Sequence, residues 1–302
     1  MIATTQQRAF AKINLGLKIV GNRPDGYHEI RTIYQTVALY DRLEISISPR
    51  RVGTQIECDN PDIPVDRGNL VHRACELWRD ARKFKAGISV KLQKRIPPGS
   101  GLGGASADAA AVLLGLERLT GNRLPPSVRY QLAVQLGSDV PFFLYGGRAL
   151  GIGRGEEVYP LEDLPRRHCL IVFPGFSVST AVAYEKAGEQ MQAELTKSEA
   201  PSNIIVFGER SPFPLMAWGP AENDFERIVF ARWPELARFK RQLIRAGAET
   251  ASLTGSGSAL FGLFDSARKL TRAANLVPQA WKTFRTRTLS RPEYSQAVTS
   301  GK

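Results

Sequence analysis

Cysteine and histidine are scarce in this chain, with three of each among 302 residues. Cys58, Cys75 and Cys169 are odd in number, far apart and never spaced C-x-x-C, which argues against a disulfide framework or a zinc site and favours a reducing cytoplasm. His28, His72 and His168 form no metal-ligand cluster either, so no protein-built metal site is expected. Long apolar runs are missing. None approaches the roughly 20 residues that span a bilayer, and Met1 to Arg8 lacks the apolar core of a secretory signal, so no membrane partner is expected. Runs of like charge are missing as well. The basic excess, 41 Lys and Arg against 29 Asp and Glu for a net charge of +12, is scattered through short groups such as Arg50-Arg51 and Arg166-Arg167. Only single aromatics, Phe84 and Phe284, sit among such groups, which disfavours a nucleic-acid surface. A diffuse positive field also suits polyphosphate substrates. No internal repeat or low-complexity segment interrupts an ordinary globular composition, 43% hydrophobic and 23% charged, and the length suffices for two domains.

Glycine, in contrast, is locally dense. Pro97-Pro98-Gly99-Ser100-Gly101-Leu102-Gly103-Gly104-Ala105-Ser106-Ala107 carries four glycines in six positions. Upstream, Ile88, Val90 and Leu92 alternate with polar residues as in a half-buried strand. Downstream, Ala109, Val112, Leu113, Leu116 and Leu119 recur at helical spacing up to Gly121, a C-terminal cap. Strand, glycine loop and helix start together describe a phosphate cradle, because glycine lets backbone N–H groups turn inward and the helix adds unpaired donors and its positive end. The loop also fits G-x-G-x-x-G, but no acidic strand end follows it, as a dinucleotide site needs. No Gly-Lys-Ser/Thr ends it, as a P-loop needs, and Ser106 stands where a protein kinase has Val. A plain alternative is a turn that only lets a helix pack closely on a sheet.

The remaining chain predicts a strand through Ile13, Leu15, Leu17 and Ile19, with Lys12 and Asn14 together on its polar face. A turn at 21–28 and a strand through Leu43, Ile45 and Ile47 follow. A helix over Val71 to Trp78 is capped by Asn69, and another runs from Ser127 to Leu136. Gly137-Ser138-Asp139-Val140-Pro141-Phe142-Phe143 reads as a turn opening onto an apolar strand, and glycine recurs around Arg154 from Gly151 to Gly155. A domain boundary is expected between Leu161 and Arg167, giving domains 1–163 and 164–302. The second domain begins with the strand Cys169 to Phe173 and a helix from about Thr180. A long loop over 197–222 precedes an amphipathic helix through Leu236, Phe239, Leu243 and Ile244. A small-residue loop, Ser252 to Ser258, leads into the strand 259–264, and the tail after Arg291 is expected to fray.

Three of these segments, Ala11-Lys12-Ile13-Asn14-Leu15, Pro97 to Ala107 and Leu253-Thr254-Gly255-Ser256-Gly257, resemble the signature regions of the galactokinase, homoserine kinase, mevalonate kinase and phosphomevalonate kinase superfamily. Pro24-Asp25-Gly26-Tyr27-His28-Glu29 and the segment around Asp139 resemble the branch acting on a cytidine diphosphate-linked methylerythritol in non-mevalonate isoprenoid synthesis. The resemblance runs from about residue 8 to 290. It implies a two-domain α+β small-molecule kinase fold with the active site in the interdomain cleft. It also implies ATP over Pro97 to Ala107 with Asn69 near adenine, and cytosine held by Tyr27, His28 and Tyr184. Gly255, Ser256 and Gly257 would help close the phosphate site, and Mg²⁺ would bridge phosphate oxygens. Lys12 and Asp139 become the catalytic pair, and a monomer or homodimer is expected.

Taken as residues alone, each has a blander reading. Asp139 in a turn is often a local cap, Lys12 mid-strand is usually solvated, Tyr27 and His28 can simply pack on a turn, and Asn14 can cap a strand instead of orienting a hydroxyl. Two features depart from the superfamily pattern or strain it. Ala105 and Ala107 replace a glycine and a serine common in relatives, leaving Ser106 as the local hydroxyl. Asp108, in the first helical turns, would compete with phosphate for N–H donors unless it points elsewhere. A sister kinase acting on homoserine or a mevalonate derivative, and a basic RNA-binding protein, are the competing readings.

Overall fold

The structure, a computed structural model, describes residues 3–23, 27–49, 52–178 and 221–299. The helix expected from Thr180, Tyr184 within it, and residues 197–220 of the long loop lie outside the described residues.

The chain opens with a long antiparallel hairpin, β1 (Ala3–Asn22) against β2 (His28–Ser48). The predicted strand through Ile13 to Ile19 lies inside β1, and the one through Leu43 to Ile47 is the C-terminal end of β2. Pairing slips at Phe10/Lys12, Asn14/Gly16 and Ile19/Gly21, and such bulges bend a strand and re-aim its side chains. With β3 (Thr54–Cys58), β4 (Gly87–Gln93), β5 (Arg148–Ile152) and β6 (Glu157–Pro160) the hairpin forms a six-stranded sheet ordered β3-β4-β2-β5-β6, with β1 beside β2. Helices α1 (Leu70–Arg82), α2 (Gly104–Thr120) and α3 (Pro126–Leu136) pack on it through Trp78, Val112, Leu116 and Leu132 against Leu43, Ile45, Val90 and Leu92. The alanine run of α2 is buried, and a Cβ at Gly115 would meet Ile45 Cδ1 at 2.5 Å, so small residues are what let this helix approach the sheet.

A second, four-stranded antiparallel sheet is ordered β10-β7-β9-β8, from β7 (His168–Phe173), β8 (Thr250–Leu253), β9 (Leu260–Phe264) and β10 (Lys282–Arg287). Ser252 and Leu253 thus belong to a strand and Ala259 precedes the next one, leaving 254–259 as the loop. Helices α4 (Phe225–Arg232), α5 (Pro234–Arg245) and α6 (Ala267–Ala274) share a core with it that includes Leu170, Val172, Phe239, Leu243 and Phe264. Ile244 is 47% exposed: one step past Leu243, it has turned off the buried face of α5.

The sheets change between Pro160 and His168, but β1 and the C-terminal segment cross that division. Ala11, Ile13 and Leu15 of β1 pack with Ile171, Phe261 and Leu263 of the second sheet. The C-terminal segment returns to the first half. It does not fray but forms α7 (Arg291–Thr299), because Tyr294 and Val298, four residues apart, present one buried face to Phe10 and Leu289. The expected strand at Val140 to Phe143 is instead a 3₁₀ turn, Pro141–Leu144. Pro141 sits at its start, where a fixed φ and a missing N–H are tolerated, and Gly146 and Gly147, with φ of +63° and +68°, redirect the chain into β5.

A buried charge cluster braces the glycine loop from behind. Lys94 Nζ donates to Asp108 Oδ2 of α2 at 2.7 Å and to Asp41 of β2, while Asp41 also accepts the backbone N–H groups of Arg95 and Ile96. Asp108 therefore turns Oδ2 to Lys94 instead of to the loop's donors. Burial, joined by the second carboxylate Asp41, outweighs the attraction of Lys94 and pushes Asp108 up to about 8. Burial alone would lower Lys94, but Asp108 and Asp41 hold it raised.

Lys94→Met, which leaves the buried Asp41 carboxylate without its cation beside Asp108, is expected to cost about 3–5 kcal/mol in urea unfolding; a loss under about 1 kcal/mol would contradict the cluster. The pH dependence has a definite sign. The folded chain holds a proton on Asp108 that the unfolded chain, with an ordinary value of 3.8, releases, so this group's contribution to stability falls as pH rises from about 4 to about 8. Asp108→Asn removes that loss, and its melting temperature relative to the parent is expected to climb between pH 5 and pH 8. A flat difference would count against the shift.

Candidate active site

The glycine loop is clamped on two sides. Lys12 of β1 donates its backbone N–H to Leu102 O at 3.0 Å, and Ala259 donates to Ser100 O at 3.1 Å. Gly99, Gly101 and Gly103 take left-handed φ values of +62°, +82° and +73°. At Gly101 the need is steric too, since a Cβ would lie 2.0 Å from Thr254 O. Gly103 caps α2 with no side-chain hydrogen bond, so the cap residue itself leaves the first-turn N–H groups open to another acceptor.

The loop residues divide by position. Gly101, Gly103 and Ser106 line a cleft of about 750 Å³. Pro97, Leu102 and Ala107 are buried, and Ser100 is buried with its hydroxyl donated to Pro97 O at 2.6 Å. Pro98, Gly99 and Ala105 are exposed, and Gly104 backs onto Ile96. Asn69 is the predicted cap of α1, accepting from Val71 N and donating to Pro64 O. It does not line this cleft.

Lys12 and Asn14 sit on the polar side of β1, yet that side is not solvated: they are 3% and 1% exposed, because the loops at 101–103 and 254–256 cover them. Lys12 Nζ donates to Asn14 Oδ1 at 2.7 Å and lies 3.5 Å from Asp139 Oδ2. Asn14 Oδ1 also accepts Gly255 N at 2.8 Å, and its amide donates to Thr32 Oγ1. The bulges on either side of the Lys12–Asn14 pair turn both side chains into this corner. Asp139, whose side chain is 31% exposed, receives a hydrogen bond on Oδ1 from Tyr34 Oη at 2.9 Å.

Farther along the same cleft stand Tyr27 and His28, with Leu17, Ile30 and Phe225 as apolar wall. Tyr27 is 55% exposed, and the Arg154 guanidinium lies 4.8 Å from its ring centroid. Gly255 and Ser256 line the cleft and Gly257 does not. Among the described lining residues that carry charge, Lys12 and Arg154 are cationic and Asp139 is anionic, a balance that suits polyphosphates. Among the described residues no group of three His, Cys, Asp or Glu could hold a metal by itself, and no helix is long and apolar enough to cross a membrane.

The expected residues Lys12, Asn14, Tyr27, His28, Gly101, Gly103, Ser106, Asp139, Gly255 and Ser256 therefore meet in one cleft. Sequence reading missed Tyr34, which looks like an ordinary core aromatic in a strand, and Arg154, whose signal was its setting among glycines.

The chain is similar to known proteins in both sequence and fold. Residues 69–147 match the GHMP kinases N terminal domain and residues 216–283 the GHMP kinases C terminal model. The chain is 47% identical over 287 residues to the 4-diphosphocytidyl-2-C-methyl-D-erythritol kinase of Solibacter usitatus (strain Ellin6076), covering 95% of this chain and 89% of that one. It is 38% identical to the enzyme of the same name from Chlorobium chlorochromatii (strain CaD3), over 92% and 94% of the two chains. A crystal structure of 4-(cytidine 5'-diphospho)-2C-methyl-D-erythritol kinase superposes with a TM-score of 0.73 at 32% identity, over 94% of this chain and 98% of that one. A homoserine kinase structure from Cytophaga hutchinsonii, 18% identical with a TM-score of 0.67, shares the fold. The chain belongs to the GHMP kinase family, and within it to the 4-diphosphocytidyl-2-C-methyl-D-erythritol kinases.

Proposed function

We propose that this ATP-dependent kinase transfers the γ-phosphoryl group of ATP directly to the 2-hydroxyl of 4-diphosphocytidyl-2-C-methyl-D-erythritol, with Asp139 as proton acceptor. The observation that carries this reading is the pairing of Lys12 Nζ with Asp139 Oδ2 at 3.5 Å in the cleft that the glycine loop lines. Asp139 takes the proton as the hydroxyl oxygen attacks phosphorus; the bond to the β,γ-bridging oxygen breaks and ADP leaves with that electron pair. Lys12 offsets the negative charge that gathers between carboxylate, hydroxyl and phosphoryl oxygens. Little covalent work is needed, since positioning and charge compensation dominate phosphoryl transfer.

The backbone N–H groups of the loop and of the start of α2 hold the triphosphate. Tyr27 stacks on cytosine and His28 offers a ring nitrogen to its edge, a pair that a homoserine or mevalonate acceptor would not use. Tyr184 is assigned to the other face of the base, and Asn14 orients the acceptor hydroxyl. Asn69, at the start of α1, is assigned to the adenine side. Mg²⁺ fits this set. Asp139 and Ser106 supply hard oxygens on the cleft wall, and the lack of a carboxylate cage among the described residues suits an ion carried mainly by phosphates. When bound, it supplies charge neutralisation at the transferring phosphoryl group. We place the enzyme in the cytoplasm, where its three free cysteines stay reduced, as a monomer or homodimer.

A coupled ADP-release assay across the candidate acceptors tests the substrate, and turnover is expected on the cytidine diphosphate-linked polyol and not on homoserine or mevalonate. Asp139→Asn is expected to abolish turnover while ATP affinity by calorimetry stays within a few-fold; parent-like turnover would defeat the proposed chemistry. Tyr27→Ala is expected to raise KM for the cytidine-containing acceptor about 10-fold or more, the loss of one stacking contact, with KM for ATP unchanged. An effect on ATP instead would misplace the two substrates.

A further inference from the structure

The glycine-flanked segment Gly151-Ile152-Gly153-Arg154-Gly155 packs against Tyr34. A Cβ at Gly151 would lie 2.5 Å from Tyr34 Cε2, and one at Gly155, where φ is +104°, would lie 2.4 Å from Tyr34 Oη. Two glycines thus leave the volume that this ring and its hydroxyl fill. The ring is held on another side by Phe142, with centroids 4.8 Å apart, and Lys12 Nζ lies 5.6 Å from its centroid. Tyr34 is 1% exposed, so its orientation is set by packing.

That orientation bears on Asp139. Tyr34 Oη lies 2.9 Å from Asp139 Oδ1 and 3.4 Å from Gly155 O. Its single proton goes to the nearer acceptor, a carboxylate that makes the stronger charge-assisted bond. Oδ1 is thereby occupied, while Oδ2 is the oxygen 3.5 Å from Lys12. We propose that Tyr34 is a positioning residue for phosphoryl transfer: its hydroxyl fixes the Asp139 carboxylate so that Oδ2, beside Lys12, is the oxygen that accepts the substrate proton. This rests on the assignment of Asp139 as proton acceptor. Arg154 shares the same short segment, so the turn that admits the tyrosine also carries the cation facing Tyr27.

The test is Tyr34→Phe, which keeps the ring and its packing and removes one oxygen. The expected result is a fall in kcat of about 10- to 100-fold, the range a small misplacement of a reacting group produces. KM for ATP and for the acceptor should stay within twofold and the melting temperature within a few degrees. Gly155→Ala is expected to lower kcat as well by displacing the hydroxyl, and less so in the Tyr34→Phe background, where the clashing oxygen is gone. Parent-like kcat in Tyr34→Phe would overturn the proposal. So would a loss confined to KM or to stability, or Gly155→Ala effects that simply multiply with those of Tyr34→Phe. Inactive Asp139→Asn alongside unaffected Tyr34→Phe would remove only the positioning role, whereas active Asp139→Asn would remove the proton-acceptor assignment beneath it.

Discussion

A lysine ammonium withdrawn from water is the constraint around which the cleft is arranged. Stripping an ammonium of solvent costs several kcal/mol unless acceptors replace the lost water. Lys12, 3% exposed, finds the Asn14 amide oxygen, the Asp139 carboxylate and the face of the Tyr34 ring. These groups come from β1, β2 and the turn after α3, so the charge is tolerated only once all three segments are in place. Contacts from three segments set the position of the ammonium, and preorganised groups of this kind are what catalysis by positioning and electrostatics demands.

The long hairpin makes the arrangement possible. β1 is shared by the two halves, with Ile13 and Leu15 packed toward the second sheet and Lys12 and Asn14 turned into the cleft. Its backbone also holds the glycine loop through Leu102, and the second half closes over that loop where Gly101 meets Thr254. The same Thr254 hydroxyl lies within hydrogen-bond reach of Asn14 Oδ1, so the glycine loop and the Lys12–Asn14 corner share one contact surface. Behind the loop, Lys94 joins Asp41 and Asp108 and fixes the angle at which α2 meets it.

Local features were legible in the sequence, and non-local ones were not. The glycine loop, α2 with Gly121 at its end, and the Asn69 cap follow from patterns within a few residues. The pairing of Lys12 with Asp139 joins positions far apart, and only the family resemblance pointed to it. Tyr34 was hidden because a tyrosine in an apolar strand reads as core. Asp108 looked like a competitor for phosphate because its partners, Asp41 of β2 and Lys94 just past β4, lie elsewhere in the chain. Tyr294 and Val298 lie in a polar tail whose four-residue spacing gains meaning only when Phe10 and Leu289 are opposite. For Lys12 a solvated reading stood open because nothing in the alternation of β1 reveals the loops that cover it.

The most direct measurement of the account is a crystal structure with a non-hydrolysable ATP analogue and the cytidine diphosphate-linked acceptor bound together. The account requires the acceptor 2-hydroxyl about 3 Å from Asp139 Oδ2 and in line with the γ-phosphorus, with the phosphates against the N–H groups of the glycine loop. Phosphates bound elsewhere, or an acceptor hydroxyl facing away from Asp139, would contradict it.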